Sequence, residues 1–139
     1  MYDTILVGTD GSAPANRAVV HALEQAEETD ATLHAIFVVD MSRYGEGELD
    51  GVDVETEELE RWGQDKLEDV GDRAETLGVD LVAHQCVGDP HAEIISYADD
   101  IDADLIVLGY QGHAHQDTDH LGSVTDRVVR RSGRPVLVV

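Results

Sequence analysis

The apolar positions of the chain alternate between two periods. Thr4-Ile5-Leu6-Val7-Gly8 is a short β-branched run, as expected of a strand buried on both faces. The turn cluster Thr9-Asp10-Gly11-Ser12 follows. Ser12 can cap a helix there, and Pro14 is tolerated in its first turn. Ala15, Ala18, Val19, Ala22, Leu23 and Ala26 then recur at helical spacing among polar neighbours, which predicts an amphipathic helix. Leu33–Val39 reads as a second strand. Asp40–Val54 combines Gly45, Gly47 and Gly51 with several acids and no period, so it predicts a mobile loop. Leu59, Trp62, Lys66, Val70, Ala74 and Leu77 predict a long second helix that Gly78 closes. Lys66 sits at the edge of that stripe, where its stem packs and its charge reaches water. A third strand spans Val79–Val87 and is ended by Gly88-Asp89-Pro90. A short helix follows with Ile94, Ile95, Ala98 and Ile101 on one face. Asp104–Leu108 is a fourth strand and Gly109–Gly122 a glycine-bounded loop. A helix marked by Val124, Val128 and Val129 runs to Gly133, and Pro135–Val139 is a fifth strand.

Five strands alternating with four helices predict an α/β fold. The expectation is a single three-layer domain over residues 1–139, with an open five-stranded parallel sheet and helices on both faces. In such sheets ligands bind beyond the carboxyl ends of the strands, where the strand order switches. That points to Thr9–Ser12, Val39–Asp40, Gly88–Pro90 and Gly109–Ser123. In the last of these, Gly109, Gly112 and Gly122-Ser123 follow the spacing G-x2-G-x9-G-S just before a helix. A helix N-terminus offers free amides and a favourable dipole to phosphate. The plainer reading is that the glycines only make turns and that Ser123 and Asp126 form a capping pair.

Charge narrows the choice. The chain has 30 Asp+Glu against 9 Lys+Arg, a formal charge of -21. A phosphate-tracking nucleic-acid binder needs a basic face, and an anionic membrane repels this one. At roughly 1 M salt the Debye length is about 3 Å, which screens the self-repulsion. The composition therefore reads as that of a protein from a salt-accumulating cytoplasm; the rival is an acidic surface that recruits a basic partner. The single cysteine, Cys86, excludes an intrachain disulfide, fits a reducing compartment, and is expected as a small core residue. No apolar run reaches roughly 18 residues, and Met1-Tyr2-Asp3-Thr4 lacks a basic leader, so a cytoplasmic location is expected.

Gly109, Gly112, Gly122 and Ser123 match, without a gap, the nucleotide-binding signature G-x2-G-x9-G-[ST] of the universal stress protein family. The opening Ile5–Ser12 and the closing Gly122–Val128 and Arg134–Val139 are also similar to that family, and the resemblance covers the whole chain. It implies an adenine nucleotide alpha hydrolase-like sheet, and a member of the subgroup that binds ATP. By resemblance, Gly109, Gly112 and Gly122 let the backbone approach ribose and phosphates, while Ser123 and the Val124 amide contact phosphate. The Thr9-Asp10-Gly11-Ser12 turn lies against the nucleotide, with Asp10 near the ribose and a phosphate-bound metal such as Mg2+ or Mn2+. The backbone of Val38 recognises adenine, and Gly88 and Pro90 flank the base. The implied role is that of an ATP- or AMP-binding stress-response sensor or regulator, a homodimer through the edge strand Val136–Val139 with an unknown protein partner. The alternatives are a slow metal-dependent ATPase and a nucleotide-free dimeric interaction module.

One segment departs from the family. His113–Leu121 carries two acids, Asp117 and Asp119, three histidines and no Lys or Arg. A tetra-anionic ligand would then need cations or molar salt. His113, His115 and His120 could ligate a transition metal, or belong to a plain polar loop. Other chemistries find no support. The only lysine, Lys66, lies in no Walker loop, the first strand lacks a dinucleotide fingerprint, and Ser12 lacks a nucleophile elbow. A receiver-type domain would want a lysine at a strand end. Without a cation in the signature loop, hydrolysis is expected to be slow at most.

Overall fold

The structure, a computed structural model, describes residues 2–40, 49–112 and 121–139. Its elements are β1 (Thr4–Gly8), α1 (Ala13–Thr29), β2 (Thr32–Asp40), α2 (Leu49–Leu77), β3 (Leu81–Gly88), α3 (Pro90–Ile101), β4 (Leu105–Leu108), α4 (Ser123–Arg131) and β5 (Val136–Val138). All strands are parallel, in the order β3-β2-β1-β4-β5. The fold is the five-stranded, four-helix α/β sheet expected from the periodicity.

β1 is the centre of the sheet, with Ile5 level with Leu33 on one side and Leu105 on the other. Its Ile5, Leu6 and Val7 are wholly buried. Strand alternation divides them: Ile5 and Val7 join the core under α1 and α2, and Leu6 joins the core under α3 and α4. Burial of each such side chain contributes about 1.5–3 kcal/mol, so the middle strand anchors both layers.

Local sequence sets the helix limits. The Ser12 hydroxyl accepts the Ala15 amide at 3.3 Å and caps α1, with Pro14 in the first turn. Gly78, at φ +70, closes α2, and the Val79 amide reaches back to the Ala74 carbonyl at 2.9 Å. α1 and α3 end in the same way on Asp30 (φ 57) and Asp102 (φ 51), and the amides of Ala31 and Ala103 bond to Ala26 and Ala98. Aspartate tolerates this left-handed backbone better than most residues, so two helix ends lack the glycine that marks the third.

Three expectations change. Residues 49–54, read as loop, belong to α2. A helix amino end suits an acid-rich sequence, because the macrodipole there is positive. Positions 41–48 of that expected loop lie outside the described residues. On α4 the buried stripe is Thr125 and Val128, while Val129 is 44% exposed. β3 starts at Leu81, since Val79 and Asp80 serve the connection from α2.

Candidate functional site

β1 divides the sheet: β2 pairs on one side of it and β4 on the other. The loops leaving β1 and β4 therefore part company and leave a crevice at their carboxyl ends. A cavity of about 360 Å³ fills it, within the roughly 300–1,000 Å³ usual for small-molecule sites. Its walls come from the ends of β1, β2 and β4, the face of α2 and the amino ends of α3 and α4.

The cavity brings together Thr9, Asp10, Val38, Pro90, Gly109, Gly112, Gly122, Ser123 and Val124 from the residues singled out in the sequence. Gly11, Ser12 and Gly88 do not line it. Ser12 is spent on capping α1 and is 3% exposed. Gly11 holds φ +80 beneath Trp62, and a Cβ there would lie 2.4 Å from the indole. Gly88 packs against Glu93, whose Oε1 would be 2.7 Å from an added Cβ.

The β1–α1 turn is tied by its own side chains. The Thr9 hydroxyl accepts the Gly11 amide at 3.2 Å, and Asp10 Oδ1 accepts the Ser12 amide at 2.9 Å. The other carboxylate oxygen of Asp10 faces the signature loop, where a Cβ on Gly112 would come within 2.4 Å of it. A Cβ on Gly109 would strike the backbone of Pro14 and Ala15 at 2.7–2.9 Å. These two glycines thus admit close contacts within the protein itself. Behind them, the buried Thr125 hydroxyl donates to the Gly109 carbonyl at 2.7 Å, and the Gly122 amide donates to the Tyr110 carbonyl at 2.7 Å.

Gly122, not Ser123, is the N-cap of α4, and it brings no side chain to cap the helix. The capping pair of Ser123 and Asp126 is therefore not formed; Asp126 binds Arg130 at 2.9 Å. The first turn of α4 opens on the cavity through Ser123, Val124 and Thr125. Much of the remaining lining is apolar: Phe37, Leu59 and Trp62 from the core under α1 and α2, and Ile36, Val38 and Ile94 from the core under α3 and α4. Asp10 and Asp40 are the ionisable side chains among the described lining residues, so the cavity walls contribute negative charge. One end thus suits a flat apolar group, and the other presents backbone dipoles to an anion.

Sequence reasoning missed Phe37, Leu59, Trp62, Ile94 and Gln111 as lining residues. The α2 stripe showed that Leu59 and Trp62 face the sheet, but not that they lie over its carboxyl end. Gln111, 3% exposed, sits inside the signature spacing at an unspecified position.

The histidine expectations resolve in part. His34 Nδ1 lies 2.9 Å from the Tyr97 hydroxyl, and His84 stacks on the Tyr97 ring at 4.3 Å. Burial lowers the pKa of His34. His91, expected on the surface, is 13% exposed, with Nδ1 2.8 Å from Asp89 Oδ1 but out of hydrogen-bond alignment. His113, His115, Asp117, Asp119 and His120 lie outside the described residues. Among the described residues no group of His, Cys, Asp and Glu is arranged to hold a metal ion. Cys86 is half-buried on the edge strand β3. Burial, then the charge and hydrogen bond of Glu93, push its thiol up to about 11. No described helix is long and apolar enough to cross a membrane.

An open parallel sheet with a cavity at its switch point defines the α/β class whose ligands, where they have them, sit at that place. The chain belongs to the universal stress protein family, whose model matches residues 1–139. A universal stress protein of Methanocaldococcus jannaschii is 38% identical, over 100% of this chain and 82% of its own length. A second protein of that organism has a solved structure with a TM-score of 0.92 and 29% identity, over 100% of this chain and 96% of that one. A universal stress protein solved in complex with cAMP is 31% identical at a TM-score of 0.71, over 99% of this chain and 96% of that one.

Proposed function

We propose that this protein binds an adenine nucleotide in the switch-point cavity and acts as a nucleotide-dependent sensor or regulator in a stress response. The observation that carries the reading is the two-ended cavity, apolar beside β2 and α2 and lined by the first turn of α4. The cAMP complex of a 31% identical relative supports it. Val38 and Pro90 take the base side. Gly109, Gly112, Gly122, Ser123 and Val124 take the ribose and phosphates, with Thr9 and Asp10 of the β1–α1 turn between. Asp10 and Asp40 repel a phosphate, so a divalent cation such as Mg2+ or Mn2+ at Asp10, or molar salt, is needed for tight binding.

The formal charge of -21 supports a salt-rich cytoplasmic setting on the same argument. β5 is a sheet edge with Leu137 37% exposed, which supports a homodimer through Val136–Val139.

Mass spectrometry of ligand released from the purified protein tests the reading, together with calorimetry of ATP, ADP and AMP in molar KCl. Expected are a bound adenine nucleotide and affinity that rises with divalent metal. No released nucleotide and no binding heat would leave a dimeric interaction module; phosphate release abolished by Asp10→Ala would make the protein an ATPase. Light scattering in molar salt tests the dimer.

A further inference from the structure

We infer that Trp62 of α2 is the residue that selects for a nucleobase in this cavity, an inference that rests on the nucleotide reading. Trp62 is the only tryptophan of the chain, half-buried, with its indole on the cavity. Phe37, Gly11 and Lys66 are among the neighbours that hold the ring. Phe37 meets it edge to face at 5.6 Å and 79°. Gly11, by lacking a Cβ, lets the β1–α1 turn close against its tip. Lys66, one helical turn on and the only lysine, places its ammonium 5.5 Å from the ring centroid. The adjacent Gly63 draws α2 down onto Phe37, since a Cβ there would lie 2.6 Å from the Phe37 ring.

An aromatic ring held by such contacts and lining a cavity is a stacking surface. Leu59, packed against the same core as Trp62, extends the apolar wall. A ligand with a phosphate but no base gains nothing from this wall. A ligand with a purine covers it and gains a stacking contact without ordering a loose side chain. Trp62 therefore discriminates base-bearing phosphates from base-free ones, while α4 holds the phosphate that both share.

The test compares AMP with ribose 5-phosphate by calorimetry in molar KCl, on the wild type, Trp62→Leu and Trp62→Phe. The wild type should bind AMP more tightly. Trp62→Leu should weaken AMP by roughly 5- to 150-fold, the range that one stacked base carries, and leave ribose 5-phosphate unchanged. Trp62→Phe, which keeps a ring, should retain most of the preference. AMP should also change the emission of the single tryptophan of the wild type, and ribose 5-phosphate should not, a readout independent of whether a variant folds. Equal losses for both ligands, or none, with a wild type that binds AMP would overturn the role of Trp62 and leave the nucleotide reading standing. A wild type that binds neither ligand would overturn both.

Discussion

Two glycines on α2 should respond to alanine with opposite signs. Helix-interior Gly→Ala substitution ordinarily stabilises by about 0.8–1.0 kcal/mol, because alanine loses less backbone entropy on folding. At Gly71 a Cβ would meet Leu81 Cδ2 at 3.6 Å, an ordinary contact, so Gly71→Ala should gain that full amount. At Gly63 it would meet Phe37 Cδ1 at 2.6 Å and Gln85 Nε2 at 2.8 Å. Neither neighbour yields freely: Phe37 is 3% exposed, and Gln85 donates to the Glu60 carbonyl at 2.8 Å. Forcing an extra carbon into such packing costs about 1–3 kcal/mol. The helix-propensity gain is common to both variants and cancels between them, so Gly63→Ala should be the less stable by about 1–3 kcal/mol. Urea unfolding in molar salt measures this, with a slope of about 1–3 kcal/mol per M converting the gap into a difference of about 1 M in midpoint. Coincident midpoints would refute the claim that a glycine-sized gap sets the approach of α2 to β2.

Three other outcomes are expected. Arg134 donates to the Ala103 carbonyl at 2.8 Å and pairs with the exposed Asp99 and Asp102, so Arg134→Ala should cost about 1–2 kcal/mol in unfolding experiments. Salt screens exposed pairs but not the carbonyl bond, so a cost that vanishes in molar salt would assign it to the pairs. Burial keeps the folded-state pKa of His34 below its ordinary value of about 6.5, so the unfolded chain takes up the proton first. The His34 contribution to stability should be complete above pH 6.5 and decline as pH falls through the lowered folded value; His34→Gln should flatten that decline in a pH series of melts, and an unchanged slope would refute it. With its thiol near pH 11 rather than 9.0, Cys86 should carry about 100-fold less thiolate at pH 8 and alkylate correspondingly slowly in iodoacetamide kinetics. Glu93→Gln should speed the reaction, and no acceleration would count against the contact.

The fold was readable because its signals are local. The β-branched runs mark buried parallel strands, and Ser12 and Gly78 supply helix-end chemistry. The amino end of α2 was not readable, since an acidic, glycine-bearing segment is ambiguous until the helix behind it is fixed. The α4 cap was misread because glycine and serine are both favoured at an N-cap, and only the backbone decides which of Gly122 and Ser123 stands at the boundary. In the candidate site, the glycine spacing singled out the end beside α4. The aromatic end was hidden because Phe37 and Trp62 lie 25 positions apart and read as core; the close approach at Gly63 that joins them is a tertiary fact.

The central position of β1 also bears on how the cavity comes into being. β1 meets β2 across one helix, but it meets β4 only after some hundred residues, with Asp104 accepting the Asp3 and Thr4 amides at 2.8 and 2.9 Å. During synthesis the β1–α1–β2–α2–β3 half can pair before β4 exists, whereas closing the longer loop is slow. The aromatic wall belongs to the early half and the glycine loop to the late one. The cavity is therefore a seam between two assembly units, complete only when folding is complete. A molecule seated across it would act as a stitch: it binds the finished fold alone, raises resistance to unfolding by mass action, and leaves when the halves part.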